Sequence, residues 1–312
     1  MKLKKLGQSD LFVSSYCLGT MTFGEATSEK DGHSQIDQSI SCGINFIDTA
    51  EMYPTCPLRE ETTGITEKII GNWIDKNKSK RSEIILATKI SGKGYKAVRN
   101  GEGINKKSIK IALEGSLKKL KTDYIDLYQL HWPNRGSYHF RQNWSYNPTN
   151  QETNIVKENI MSVLEVLSNC EKEGKIRSIG LSNETCWGTA QFIDCIKNFP
   201  NLSLASIQNE YSLLCRLYDL DMAELSHHEN IHLLAYSPLA GGFLTGKYLD
   251  ENVPKNSRLS RVPSLFGRIN DNSTPAVKEY ISLAKKHNLD PVHMSLAFCN
   301  QRPFMGSIIF GA

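Results

Sequence analysis

Little in this sequence points to a secreted, membrane-spanning or metal-held protein. Its eight cysteines, at positions 17, 42, 56, 170, 186, 195, 215 and 299, form no Cys-x-x-Cys pair and no cysteine–histidine ladder of zinc spacing. Cysteines scattered in this way read as buried or free thiols in a reducing compartment, and no metal site is expected. No stretch approaches the ~20 apolar residues of a membrane span. The opening MKLKKLGQSD is basic but has no apolar run behind it, so we expect no signal peptide and a cytoplasmic protein. Charge of one sign is also scarce: the formal net charge is only +4, far from the clustered basicity of a nucleic-acid binder. That balance still leaves room for a phosphorylated ligand, which needs two or three well-placed cations. The glycine-rich GxGxxG fingerprint is missing, so a Rossmann-type dinucleotide site is not expected.

What is present is an ordinary globular balance, 39% hydrophobic and 22% charged residues over 312 positions. Near-continuous apolar runs alternate with amphipathic ones from residue 13 almost to the end. Eight runs read as strands: 13–18, 45–50, 84–90, 124–131, 176–182, 204–210, 231–237 and 306–310. Helical spacing lies between them. Residues 106–120 place Ile109, Leu113, Leu117 and Leu120 on one side, and 159–173 place Ile160, Val163, Leu164 and Leu167 on one side before Gly174 stops the run. Strand and helix repeated this often predict an α/β fold with a parallel sheet, and the length suits a single (β/α)8 TIM barrel domain over residues 1–312, typically ~250 residues plus loops. Ahead of the first strand, KLKKLGQSDLFVS reads as a β-hairpin that plugs the barrel bottom. Two long connections, about 134–152 and 249–273, follow strands and therefore belong on the C-terminal face, where loops of this length are usually functional.

A barrel predicts polar residues at the C-terminal ends of its strands, and they recur there: Asp48 and Tyr53 after the second, Thr88-Lys89 in the third, His131 at the fourth, Ser182-Asn183 at the fifth, Gln208 to Tyr211 at the sixth, Tyr236-Ser237 at the seventh. Singly, each has an ordinary explanation, since an aspartate can be a helix cap, a histidine beside a tryptophan a packed core group, and Ser-Asn a turn. Their convergence on one rim favours a functional reading. A lysine or aspartate buried at a strand end is costly unless paired, so Asp48 and Lys89 are expected to pair.

The segments LGTMTFGE, GINFIDTAEMYP, ATK, DLYQLHWP, GLSN, IQNEYSLL and AYSPLAGGFLTGKY resemble the successive signatures of the aldo-keto reductase superfamily, along nearly the whole chain. LGTMTFGE, AEMYP, GNW and GKIRSIGLSNET resemble its bacterial Tas-type NADP(H)-dependent branch. The resemblance implies reduction of aldehyde or ketone carbonyls with NADPH/NADP+, using Asp48, Tyr53, Lys89 and His131. Tyr53 is then the general acid. A free phenol with a pKa near ~10 is a sluggish acid, so the role asks for a lowered pKa, which the Lys89 ammonium favours. Asp48 anchors Lys89, and His131 orients the carbonyl. For the cofactor, the resemblance implies contacts from Thr20, Met21 and Asp48, from Ser182, Asn183 and Gln208 to the nicotinamide carboxamide, from Tyr236 to its ring, from Ser237, Leu239 and Gly241 to the pyrophosphate, and from Lys247 and Arg258 to phosphates including the 2′-phosphate. Met21, Phe23, Tyr53, His131 and Trp132 are the expected substrate wall, with Tyr138, Phe140, Trp144, Tyr146 and Trp187 as further aromatic candidates.

Relatives continue past the last strand into a Ser/Thr-rich turn and a helix that clasps the adenosine end, and that C-terminal segment is expected to be missing from a sequence stopping at residue 312. The expected partner is a small-molecule carbonyl substrate, with no nucleic acid or membrane, and the oligomeric state is left open. The same resemblance admits a second function, a cofactor-binding regulatory subunit like the potassium-channel β-subunits. A barrel lyase using Lys89 as a Schiff base is a third.

Overall fold

The computed structural model describes residues 1–249 and 253–311; residues 250–252, within the second long connection, and Ala312, the chain's last residue, lie outside the description. The chain opens with a hairpin of β1 (Leu3–Lys5) and β2 (Phe12–Ser14), antiparallel with Leu3 opposite Ser14. Then follow β3 (Tyr16–Gly19), α1 (Glu29–Ser41), β4 (Phe46–Asp48), α2 (Ile65–Lys76), β5 (Ile85–Ile90), α3 (Lys106–Leu120), β6 (Ile125–Leu130), α4 (Thr153–Lys172), β7 (Ile176–Ser182), α5 (Cys186–Ile196), β8 (Leu204–Glu210), α6 (Asp221–Glu229) and β9 (His232–Tyr236). Two four-residue turns, α7 (Arg258–Arg261) and α8 (Ser264–Gly267), precede α9 (Ser273–Lys286), α10 (Pro291–Asn300) and β10 (Met305–Phe310). Strands β3 to β10 are all parallel and close in sequence order, β10 pairing back onto β3. This is the (β/α)8 barrel that the alternation predicts.

One expected strand divides in two. Residues 13–18 read as a single run, yet Phe12–Ser14 belongs to the hairpin and Tyr16–Gly19 to the barrel. The Ser14 N–H donates to Asn45 Oδ1 at 2.9 Å and the Ser14 hydroxyl to the Tyr16 carbonyl at 2.6 Å, so the backbone turns at Ser15. The hairpin does plug the barrel. Leu6, Leu11 and Val13 are buried against Cys17, Phe46, Ile85, Ala87, Leu127 and Leu234. At its turn Gly7 has φ +54°, and a Cβ there would lie 2.3 Å from the Ala205 carbonyl oxygen, so only glycine fits.

The two-residue period of a strand decides what enters the barrel. On β5, Leu86 and Ile90 join the layer between strands and helices, and Thr88 donates to Glu67 of α2 at 2.7 Å. Ile85 and Ala87 face the plug, and Lys89 continues their side. On β4, Phe46 faces the plug while Ile47 packs outward, which places Asp48 inside. The lower barrel is thus apolar and its upper end carries the ionisable groups.

Helix α3 spans the predicted residues, with Asn105 accepting from the N–H groups of Lys107 and Ser108. Helix α4 begins at Thr153, six residues before the expected Asn159. The apolar stripe reaches back only as far as Val156, four before Ile160, and the residues around it are exposed. Helices α2 and α3 meet so closely that a Cβ at Gly71 would lie 2.0 Å from the Lys119 carbonyl oxygen. Gly71→Ala is therefore expected to destabilise the fold by about 1–3 kcal/mol through overpacking, measured as a lower urea midpoint. A gain of up to ~1 kcal/mol, the usual result of replacing a helical glycine by alanine, would contradict this packing.

Candidate active site

Three chain segments bring the expected ionisable groups to one place. The ammonium of Lys89, with a fully buried side chain, donates to Asp48 Oδ2 at 2.6 Å, to the Thr49 carbonyl at 2.7 Å and to the Tyr53 hydroxyl at 3.4 Å. The Tyr53 backbone is held as well. Its N–H donates to the Ala50 carbonyl, and its own carbonyl accepts from the N–H of Gly64 at 2.9 Å, at the start of α2. His131 follows β6, its N–H on the Ile90 carbonyl at 2.9 Å, and its ring meets Tyr53 edge-on at 5.7 Å between centroids.

Burial governs the protonation states. It would strip the proton from Lys89, but Asp48 and Tyr53 outweigh it and hold the ammonium above its ordinary pKa. Burial and the Lys89 charge both push His131 well below the usual imidazole range, so the ring is neutral. For Tyr53 the outcome corrects the expectation. Lys89 does pull the phenol down, but burial is the larger effect and raises its pKa, so Tyr53 stays protonated at neutral pH.

Two glutamines complete the Asp48 shell. Gln129 Nε2 donates to Asp48 Oδ1 at 3.0 Å, and Gln208 Nε2 donates to the same oxygen at 2.8 Å and to Gln129 Oε1 at 3.1 Å. Gln129 escaped the sequence reading, although its place was available there: it lies two residues before His131 on the same strand face. Gln208 and Asn183 have their own amide hydrogens engaged. The Asn183 amide donates to the His131 carbonyl at 2.9 Å and to Ser182 Oγ at 3.0 Å, and its oxygen accepts from the Tyr236 hydroxyl at 2.8 Å. Both NH2 groups are thus engaged within the protein, and what these side chains offer a ligand is an acceptor oxygen rather than a donor.

Above this cluster opens a cavity of about 650 Å3. Its wall contains Tyr53, His131 and Trp132 together with Thr20, Met21, Asp48, Ser182, Asn183, Gln208, Tyr236, Ser237, Leu239, Gly241, Lys247 and Arg258. Phe23 does not line it. That ring is fully buried beneath α1, where a Cβ on Gly32 would lie 2.9 Å from it, so it is a core residue. Of the further aromatics, Phe140 lines the cavity, whereas Tyr138, Trp144, Tyr146 and Trp187 do not. Trp144 is 95% exposed, and Trp187 lies under the Arg135 guanidinium. Arg261 and Arg268 join the wall without having been expected.

Residues 16–312 match the family described as "Aldo/keto reductase family". The chain belongs to the aldo/keto reductase family. It is 42% identical to "Protein tas" of Escherichia coli (strain K12), over all of this chain and 89% of that protein, and so is a Tas-type aldo/keto reductase. "Uncharacterized oxidoreductase YrpG" of Bacillus subtilis (strain 168) is 29% identical, over all of this chain and 87% of its own. A "Probable voltage-gated potassium channel subunit beta" of Oryza sativa subsp. japonica is 28% identical over the same shares. Aldo/keto reductases are oxidoreductases that use nicotinamide cofactors on small-molecule substrates. The cavity of this aldo/keto reductase fits such a group. Gly241 and Gly242, at φ +71° and +94°, expose bare backbone beside Arg258 and Lys247, a cradle suited to phosphate, while the buried Nδ1 of His131 has no partner among the described residues.

The neutral imidazole has a consequence for stability. As pH falls through ~6.5 the unfolded chain takes up a proton that buried His131 refuses, so the folded state loses stability on the acid side. Between pH 6.5 and 5, urea unfolding of the wild type is expected to lose stability more steeply than that of His131→Gln, by at most about 1.4 kcal/mol per pH unit. Parallel pH profiles would show that His131 is protonated in the fold.

Proposed function

We propose that this protein reduces aldehyde or ketone carbonyls to alcohols with NADPH, with Tyr53 as the proton donor. The observation that carries this reading is the buried Lys89 ammonium held between Asp48 and the Tyr53 hydroxyl beneath the cavity. When bound, the dihydronicotinamide supplies the hydride to the carbonyl carbon. As that bond forms, the carbonyl oxygen becomes an alkoxide far more basic than a phenolate, and Tyr53 gives it the phenolic proton. A raised phenol pKa suits this task, because the donor is loaded at every neutral pH and the basicity of the product drives the transfer. The phenolate left behind faces the Lys89 ammonium at 3.4 Å, which stabilises it until a solvent proton returns. Asp48, fixed by Gln129 and Gln208, keeps that buried ammonium charged. Neutral His131 directs its ring at the carbonyl and adds no competing charge.

On this reading Tyr236 lies against the nicotinamide ring, with Ser182, Asn183 and Gln208 presenting acceptors to its carboxamide. Ser237, Leu239 and Gly241 run beside the pyrophosphate, Thr20 and Met21 border the ring, and Lys247 and Arg258 take the phosphates, with the 2′-phosphate giving NADPH preference over NADH. The protein is assigned to the cytoplasm on its free, scattered thiols.

The similarity to a protein named as a channel subunit supports a second reading, in which the dinucleotide is bound for regulation and turnover is absent. One assay separates the two: NADPH or NADH consumption with nitrobenzaldehydes, methylglyoxal and diketones. Turnover is expected, with the lower KM for NADPH, and Tyr53→Phe is expected to lower kcat by about 10²–10⁴ while dinucleotide binding persists. Tight NADPH binding with no turnover on any carbonyl would favour the regulatory reading, and near wild-type turnover by Tyr53→Phe would remove Tyr53 as the acid.

A further inference from the structure

A series of ring contacts leads away from the catalytic phenol. Tyr53 and His131 lie 5.7 Å apart between centroids, His131 and Trp132 4.8 Å, and Trp132 and Phe140 6.3 Å. The next residue in the chain, Arg141, lines the same cavity. Phe140 and Arg141 take φ +57° and +68°, a left-handed backbone that bulky residues adopt only where the surroundings enforce it. What enforces it includes Glu210, at the end of β8. Its Oε1 accepts from Arg141 Nη2 at 2.7 Å and from Arg268 Nε at 2.9 Å. One carboxylate therefore holds two guanidiniums, and the cluster keeps a net positive charge. Burial opposes the Arg141 charge, but Glu210 overcomes it and holds the guanidinium above its ordinary pKa. Among the described residues, only Nη2 of Arg141 has a protein acceptor, so the rest of its donor fork is available, and its side chain is 31% exposed.

The cofactor's negative charge has other partners in this cavity. Lys247, Arg258 and Arg261 lie with the bare backbone of Gly241 and Gly242, and Arg268 is tied to Ser237 at 3.2 Å. Arg141 instead comes from the connection after β6, the one that supplies the aromatic wall. On the basis of the reductase reading above, we propose that Arg141 binds the anionic group of the substrate. The substrate class is then an aldehyde or ketone on an apolar or aromatic body, bearing a carboxylate or phosphate several bonds from the carbonyl. Planar guanidinium recognises either group through paired charge-assisted hydrogen bonds, and the aromatic wall holds the body between them.

The test compares 4-carboxybenzaldehyde with its methyl ester in wild type, Arg141→Met and Arg141→Lys, with NADPH as reductant. The wild type is expected to favour the acid over the ester in kcat/KM by about tenfold. Arg141→Met should lose that ratio, chiefly through KM for the acid, and Arg141→Lys should restore part of it. A wild-type ratio at or below one overturns the proposal, as does an unchanged ratio in Arg141→Met. So does a preserved ratio with a tenfold weaker NADPH Kd, which would assign Arg141 to a cofactor phosphate. If neither aldehyde is reduced, the reductase reading is judged separately, by the wider carbonyl panel. The proposal is then decided by calorimetric titration of the two aldehydes into the same three proteins, where the acid must bind more tightly and Arg141→Met must abolish the difference. If Arg141→Met does not fold, the wild-type ratio and its partial loss in Arg141→Lys decide.

Discussion

A charged ammonium sealed inside a barrel is the constraint on which the rest of this structure depends. Lys89 has no solvent to hydrate it, and a lone buried charge costs several kcal/mol even after relaxation. The surroundings answer that cost atom by atom. Asp48 and the Thr49 carbonyl receive the ammonium, Gln129 and Gln208 satisfy the other oxygen of Asp48, and the Tyr53 hydroxyl closes the shell. A well-packed apolar pair of the same volume would be at least as stable, so stability alone does not explain the arrangement. On the proposed reading its use is electrostatic: a fixed positive charge, itself buried, beneath a phenol.

The barrel makes this arrangement attainable. Inward positions come every second residue, so β4, β5 and β6 each carry apolar side chains to the plugged lower end and one polar side chain to the upper end. Phe46 and Asp48, Ala87 and Lys89, and Leu127 and Gln129 are three instances. The hairpin closes the bottom with Leu6, Leu11 and Val13, which keeps water from reaching Lys89 from below. The loops on the upper face then differ in task. The connection after β6 brings Trp132 and Phe140, and that after β9 brings Lys247, Arg258, Arg261 and Arg268, with Glu210 joining the two through Arg141 and Arg268.

Much of this was legible in the sequence, because parallel strands covered on both sides leave unbroken apolar runs and helices leave a stripe. β7 and β8 fall on the predicted residues, and α3 does as well. Local hydrogen bonding was not legible: the turn at Ser15 rests on the Ser14 hydroxyl and on Asn45, thirty-one residues beyond Ser14. Nor was the start of α4, where Val156 alone extends the apolar stripe. Among site residues, those at strand ends could be read, and Gln129 could have been by counting back two from His131. Phe23 was expected in the substrate wall, but the chain there turns the ring under α1. The Arg141–Glu210–Arg268 cluster depends on two long irregular loops meeting, and no spacing rule encodes that. The Tyr53 pKa was misjudged because a sequence shows the neighbouring lysine and not the depth of burial.

The most direct test of the account is the reduction rate of the double variant Asp48→Asn/Lys89→Met, taken beside its stability. Each single replacement strands a charge or an unmatched polar group, and losses of about 3–5 kcal/mol are expected when one partner of a buried pair is removed. The double variant removes both charges, so it is predicted to be more stable than Lys89→Met alone and still to reduce carbonyls at least a hundredfold more slowly than wild type. A well-folded double variant that turns over within tenfold of wild type would contradict the claim that the buried ammonium serves the phenol.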